Sequence, residues 1–358
     1  MTSGSTPANP PSDSPAGPPV RRSRRGSGAV TLHDVAKLAG VAPITASRAL
    51  NTPEQVSDDV RRKVADAVAR TGYVPNLLAG GLASRRSRLV AAVVPTISGP
   101  VFLETVQSLT AALAERGYQM MLGQAGYRGT REDALLEAII GRRPDGIVLT
   151  GILHSPEGRR RLMAAGIPVV ETWDLTPTPI DMLVGFSHVE VGRAVAAYLH
   201  GKGRRRLAVV GGDDERAQRR LGAFQQAAQA LGQAEVPAVV VPAPTTLKSG
   251  REALGRLWDG AGTAGPPDAV FCSSDLLALG VLTEAQARGV AVPGQLAIVG
   301  FGDLEFAADL HPALTSVRIN GSAIGQQAAR FIVDRAEGRA VDTRVVDIGF
   351  SIVERASS

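Results

Sequence analysis

TLHDVAKLAGVAPITASRALN, residues 31–51, sets two short helical patterns around a glycine turn. Thr31 followed by Asp34 is a capping-box-like start, and Leu32, Val35, Ala36 and Ala39 recur at the spacing of one apolar helix face. Gly40 ends that helix. Pro43, with its fixed φ and missing N–H, suits the first turn of a second helix, expected over Pro43 to Leu50. Ala46, Ala49 and Leu50 then turn inward and Ile44, Thr45, Ser47 and Arg48 outward. A third helix follows, with Ser57 as N-cap, Asp58 and Asp59 at the positive end of its dipole, and Val60, Val64, Ala67 and Val68 on the buried face. Three such helices make one small core, which leaves the second free to enter a DNA major groove.

Short Ala-rich helices around a glycine also occur in ordinary bundles, so charge has to discriminate. Residues 1–88 hold 13 Lys and Arg against 6 Asp and Glu, whereas the rest of the chain holds 26 against 28. The chain's net +5 is therefore concentrated at one end, the electrostatic footprint of phosphate binding. The first 28 residues are rich in Pro, Ser, Gly and Thr and include RRSRR; without the apolar stretch of a signal peptide they read as a disordered basic arm.

The remainder alternates short apolar runs with amphipathic stretches: LVAAVVP, QMMLGQ, GIVLTG and IPVVET, then LAVVGG, AVVVP, AVFCSS and LAIVGF. This is the rhythm of parallel β-α units, and a break near Gly185 to His188 divides it into two doubly wound halves. In such sheets ligands sit in a crevice at the carboxyl ends of the strands. The fold class expected is α/β, an all-α helix-turn-helix head on a core of two subdomains. A composition 44% hydrophobic, with no apolar run long enough to span a bilayer, fits a soluble chain, and a single cysteine, Cys272, excludes an intrachain disulfide and favours the cytoplasm.

Enzyme motifs are missing. There is no dinucleotide-binding G-x-G-x-x-G, no phosphate loop and no G-x-S-x-G elbow. The five histidines, His33, His154, His188, His200 and His311, lack ligand spacing, so neither metal nor cofactor is expected. Gly211-Gly212-Asp213-Asp214 reads as a strand-to-helix turn.

With TLHDVAKLAGV, ASRALN, the Val-Ser opening of the third helix, GYVPN at 72–76 and the following LLAGGLASRRS, the chain resembles the LacI family of transcription regulators over roughly Val30 to Arg355. The resemblance implies a DNA-binding head at 29–75, a hinge at 76–87 and an effector-binding, dimerising core at 88–355 like the periplasmic sugar-binding proteins. Its subdomains would be about 88–186 plus 316–340, and 187–315 plus 341–355, with crossovers near Phe186 and Thr315. It further implies DNA contacts from Thr31, Pro43, Ile44, Thr45, Ser47, Arg48, Asn51, Tyr73, Asn76 and Ala79, with Leu82 wedging a minor-groove step. Two departures matter. Ala42 stands where the family usually has a capping Ser, costing about 1 kcal/mol. Gly80 and Gly81 penalise a hinge helix by roughly 1 kcal/mol each relative to Ala.

In the cleft the resemblance points to Pro100, Val101, Phe102 and Phe186 as apolar walls and to Arg220 as the group gripping effector oxygens, although an Arg beside Arg219 can also be a plain surface charge. Asp303 in GFGDLEF would accept hydroxyls, with its register shifted by Gly302. Ser274 replaces a common Asn, Asp275 would cap the next helix, and Glu171 or Asp174 would supply a rim carboxylate. PVF, GYQMML, DGIVLT, AGIPVVE, FCSSDLLALG and GFGDLEFA resemble most the gluconate-utilisation repressors of this family. A phosphorylated sugar acid, a neutral sugar or a purine stays open as effector, as do induction and corepression. Without a tetramerising heptad after Arg355, a homodimer on double-stranded operator DNA is expected. A solute-binding protein or a sugar-modifying enzyme would share the cleft but would not need the head.

Overall fold

The computed structural model describes residues 30–74, 86–127, 132–152, 155–262 and 265–358. The arm at 1–28 and the expected contacts at Asn76, Ala79 and Leu82 lie outside them. The chain divides into two compact units, one up to Gly80 and one from Gly81 onward.

The first unit holds α1 (Leu32–Ala39), α2 (Pro43–Asn51) and α3 (Asp58–Thr71). The N–H and hydroxyl of Thr31 both donate to Asp34 Oδ2, at 2.8 and 2.7 Å, and fix the start of α1. Gly40 ends α1 at φ 66°, the left-handed cap that an L side chain resists. α2 starts at Ala42 without a side-chain cap and runs one residue past Leu50, because Asn51 Nδ2 donates to the Ser47 carbonyl at 3.0 Å and extends the last turn. Ser57 Oγ accepts from the Val60 N–H and caps α3. Val35, Ala36, Ala46, Val64 and Ala67 are fully buried between the three helices, with Leu32, Leu50, Val60 and Tyr73 packed around them.

The second unit contains two six-stranded sheets. The first is built from β1 (Leu89–Val94), β2 (Gln119–Gln124), β3 (Gly146–Thr150), β4 (Val169–Thr172), β5 (Met182–Gly185) and β11 (Val345–Asp347), in the order β11-β5-β4-β3-β1-β2 and parallel throughout. The second takes β6 (Leu207–Gly212), β7 (Ala238–Val241), β8 (Ala269–Cys272), β9 (Ala297–Phe301), β10 (Thr315–Arg318) and β12 (Ser351–Val353), in the order β12-β10-β9-β8-β6-β7. Only its β10–β12 pair is antiparallel. The central strands are continuous apolar runs such as Val90 to Val94 and Leu207 to Val210, buried on both faces, as a parallel sheet covered by helices requires.

The helices of the first half are α4 (Leu103–Ala114), α5 (Glu132–Ile140), α6 (Pro156–Ala165) and α11 (Gly321–Ala336); those of the second are α7 (His188–Gly201), α8 (Glu215–Ala230), α9 (Leu247–Asp259) and α10 (Asp275–Ala287). The chain leaves the first sheet after Gly185. It returns later than the crossover expected near Thr315, because Thr315–Val317 pairs with Val299–Phe301 and belongs to the second sheet. α11 then packs on α4. Val345–Asp347, expected in the second half, instead pairs with Leu183–Gly185, while β12 closes the second sheet. The two halves are thus joined by three crossings, since each of the last two strands covers an edge that β5 or β10 would otherwise leave open.

Candidate DNA interface and ligand cleft

On the head, Ile44 and Arg48 stand four residues apart on one face of α2. Ile44 is 62% exposed, Pro43 and Arg48 are also exposed, and the Arg48 side chain has no ion pair or hydrogen bond within the described residues. A free guanidinium beside an apolar side chain can address a guanine edge and a thymine methyl. Thr45 and Ser47 are half-buried at the flanks. Thr31 and Asn51 are exposed but already bonded within their own helices, and Tyr73 rests on the three-helix core.

In the core unit, about 700 Å³ of empty space, part of it open to solvent, lies between the halves. Every lining segment follows the carboxyl end of a strand: Gly99 to Phe102 after β1, Tyr127 after β2, Trp173 after β4, His188 after β5, and Asp214, Arg216 and Arg220 after β6. Ala243 to Thr245 follow β7, Ser273, Ser274 and Leu276 follow β8, and Phe301 and Leu304 stand at and just beyond the end of β9. This is where an open α/β sheet gathers loop residues around a ligand.

Arg220 dominates the chemistry. It is 5% exposed on α8, and its guanidinium lies 3.9 Å over the centroid of Phe301. Nη2 donates to the Ser273 carbonyl at 3.0 Å and Nη1 to His188 Nδ1 at 2.9 Å, while Nε is buried without a partner. Burial pushes its pKa down to about 10, so the group stays charged at neutral pH. α7 approaches closely enough for this pairing because residue 192 is glycine; a Cβ there would overlap the Arg220 carbonyl oxygen. Beside it, Arg216 reaches over the ring of Phe102 and donates to the Thr150 carbonyl at 3.4 Å.

The residues expected in the cleft separate. Pro100, Val101, Phe102, Arg220 and Ser274 line the cavity together, although Ser274 Oγ also caps α10 by accepting from the Leu277 N–H. Asp174 lines a neighbouring compartment with Glu132 and Arg219; its Oδ1 accepts from Arg219 Nη1 at 2.9 Å, and burial holds its carboxyl above the usual range. Phe186 is wholly buried behind the wall, edge-on to Trp173 and His188. Glu171 does not reach the cavity. It is enclosed in β4 and accepts from the Ile180 N–H at 2.8 Å, bracing the loop into β5. Asp303 is taken by Arg318 Nε and Arg355 Nη1, both at 2.6 Å, which ties β10 to the C-terminal segment. Asp275 does not cap α10: its oxygens accept from Ser316 Oγ at 2.6 Å and the Leu304 N–H at 2.7 Å.

Tyr127, Trp173, His188, Asp214, Arg216, Thr245 and Phe301 line the cavity without having been expected there. Their common signal is position: Phe301 ends a strand and the others stand one to four residues beyond one. Among the described residues no group of His, Cys, Asp and Glu could hold a metal ion, and no helix is long and apolar enough to cross a membrane.

Comparison with known proteins agrees with both units. Residues 31–76 match the model for bacterial regulatory proteins of the lacI family, and residues 196–358 match that for a periplasmic binding protein-like domain. The chain is 37% identical to the HTH-type transcriptional regulator GntR of Pseudomonas aeruginosa, covering 94% of this chain and 98% of that one. It is 33% identical to the regulator of the same name from Escherichia coli, over 90% and 96% of the two chains. A crystal structure of a LacI-family transcriptional regulator from Silicibacter pomeroyi superimposes with a TM-score of 0.86 at 32% identity, covering 92% of this chain and 99% of that one. These relatives are regulators, not enzymes, and their match spans the helix-turn-helix head as well as the two-sheet core. The chain belongs to the LacI family and is a DNA-binding transcriptional regulator.

Proposed function

We propose that this regulator is a cytoplasmic homodimeric repressor whose affinity for a pseudo-palindromic operator is set by a small sugar acid, gluconate first, held in the cleft between its two sheets. The observation that carries this reading is Arg220, a buried guanidinium to which no carboxylate is bonded among the described residues. A buried charge without a counter-ion is costly, and a ligand carboxylate supplies one in a geometry that guanidinium binds bidentately. Tyr127, Asp214, Thr245 and Ser274 offer hydroxyl partners along the same cavity, and Phe102, Trp173 and Phe301 offer apolar faces for the carbon chain. The resemblance of the cleft segments to gluconate-utilisation repressors supports the same ligand.

Ligand closes the cleft by differential affinity for two states, and a coupling of about 1 to 3 kcal/mol changes operator affinity roughly 5- to 150-fold. Pro43, Ile44 and Arg48 read bases, while Thr45 and Ser47 serve phosphates. Calorimetry of the full chain tests the ligand: gluconate gives heat, and its neutral alditol binds much more weakly because it leaves the guanidinium unpaired. Equal binding of the two sinks the carboxylate assignment, and no heat with either sinks the sugar acid.

A further inference from the structure

His188 is buried at the first turn of α7, where the chain has just crossed from the first sheet to the second. Its ring nitrogens face opposite ways. Nδ1 lies 2.9 Å from Arg220 Nη1, which can only donate, so Nδ1 is the acceptor. Nε2 lies 3.0 Å from the Trp173 carbonyl, which can only accept, so Nε2 carries the proton. One neutral tautomer satisfies both contacts, and burial together with Arg220 holds the imidazole pKa well below its usual value. Trp173 belongs to the first half and has φ 65°, a left-handed conformation unusual for a bulky residue. Its indole N–H donates to Thr105 Oγ1 at 3.0 Å, and its carbonyl takes the imidazole proton.

We infer that His188 is a positioning residue that orients Arg220 for the ligand and, through the Trp173 carbonyl, transmits the occupancy of that guanidinium from the second half of the core to the first. The inference rests on the sugar-acid reading above. With one N–H committed to His188 and one to the Ser273 carbonyl, Arg220 keeps its Nε–H and two further N–H donors, enough for a bidentate carboxylate. A shift of Arg220 toward that carboxylate pulls on the imidazole, whose other edge is fastened to the strained turn at Trp173. The coupling therefore runs through the two hydrogen bonds of a side chain in the cavity wall.

Two substitutions separate the functions. His188→Asn keeps an acceptor near the Nδ1 position and loses the donor to Trp173; His188→Gln keeps a donor near Nε2 and loses the acceptor for Arg220. In the full chain, His188→Asn binds gluconate within about threefold of wild type but loses most of the ligand-driven change in operator affinity. His188→Gln binds gluconate about tenfold or more weakly, the usual effect of removing a hydrogen bond to a charged group, with operator affinity in the absence of ligand unchanged. A merely structural role would move affinity and response together. Nitrogen NMR of the wild-type protein supplies an independent measurement: His188 shows an unprotonated Nδ1 and a protonated Nε2 at neutral pH, and the other tautomer, or a charged ring, overturns the arrangement. Wild type that binds while both variants keep full response overturns the role of His188 alone. Wild type that binds no sugar acid overturns the ligand reading and this role with it.

Discussion

The head and the cleft each present an arginine without a carboxylate, and the two are opposites. Arg48 stands in water on α2, hydrated and free, so waiting for DNA costs it little; Arg220 is 5% exposed, pressed on Phe301 and paired only with neutral acceptors. The first can discriminate between partners only by geometry, since water replaces any partner it loses. The second gains from a well-placed anion because, among the described residues, no carboxylate is bonded to it, and Asp214 and Asp174 act on its charge only from a distance. Base reading in this protein is therefore expected to be graded, position by position, and ligand recognition to be nearly all-or-none.

The largest expected effect tests the buried member. Arg220→Met removes the charge and keeps much of the volume; gluconate affinity falls by more than about 3 kcal/mol, over a hundredfold, so the effector response disappears at ordinary concentrations. Operator binding without ligand survives. Because methionine leaves the Ser273 carbonyl and His188 Nδ1 without their donor, the variant should melt somewhat lower than wild type, by no more than the two lost hydrogen bonds account for, about 1 to 3 kcal/mol each. A larger drop in melting temperature would show that Arg220 serves the core and not the ligand.

A pair of carboxylates sharpens the same contrast. On the head, the two Thr31 hydrogen bonds hold Asp34 below the usual carboxylate range, whereas in the core burial raises Asp275 to about 6. The signs are opposite: the Asp34 contribution is present above its unfolded pKa and lost as pH falls, and the Asp275 contribution is fully present below about 4 and lost as pH rises through about 6. Ionising Asp275 costs the folded core about 3 kcal/mol. Chemical denaturation of the full chain between pH 4 and 7 should show this loss in the core transition, and Asp275→Asn should flatten it. An unchanged slope in the variant assigns the dependence elsewhere.

Arg48→Ala is expected to cost about 1 to 3 kcal/mol at a single operator position and to relax the base preference there. Binding curves on specific and random duplexes decide it. An equal loss on both would make Arg48 a phosphate contact and remove the geometric discrimination claimed for the exposed arginine.

The head was legible in the sequence because everything that makes it is local: Thr31 reaches Asp34, Gly40 ends α1, and the apolar positions repeat at one helical period. Arg220 was legible only through the resemblance. Pro100, Val101, Phe102 and Ser274 were legible the same way; the other cleft residues come from segments between 99 and 304, marked only by following strand ends, a position many residues outside the cleft share. Glu171 and Asp303 illustrate the difficulty, since each is an acid at the end of a strand, as a ligand acid would be. What settles them is a partner brought in by the fold, the Ile180 N–H for one and Arg318 and Arg355 for the other. The late return to the first sheet escaped for a related reason. VVD at 345–347 and SIV at 351–353 are three-residue strands, too short to carry a period.

The smallest expected effect concerns α2, the helix that carries the exposed arginine. Ala42 occupies the N-cap with an extended backbone, φ −68° and ψ 149°, and no side-chain bond to the first turn. Serine adopts the same conformation, and its hydroxyl would accept one of the free N–H groups there; Ser57 does this at the start of α3, where Oγ accepts from Val60. Ala42→Ser should therefore stabilise the head by about 1 kcal/mol, read as a higher melting temperature of the head transition. Because residue 42 is exposed and outside the apolar core of the head, packing should not change. Gluconate affinity should not change either, and operator affinity should rise only so far as α2 frays in the free protein. A stabilisation near zero would mean that water already satisfies that first turn, and that the groove-reading helix gains nothing from a cap.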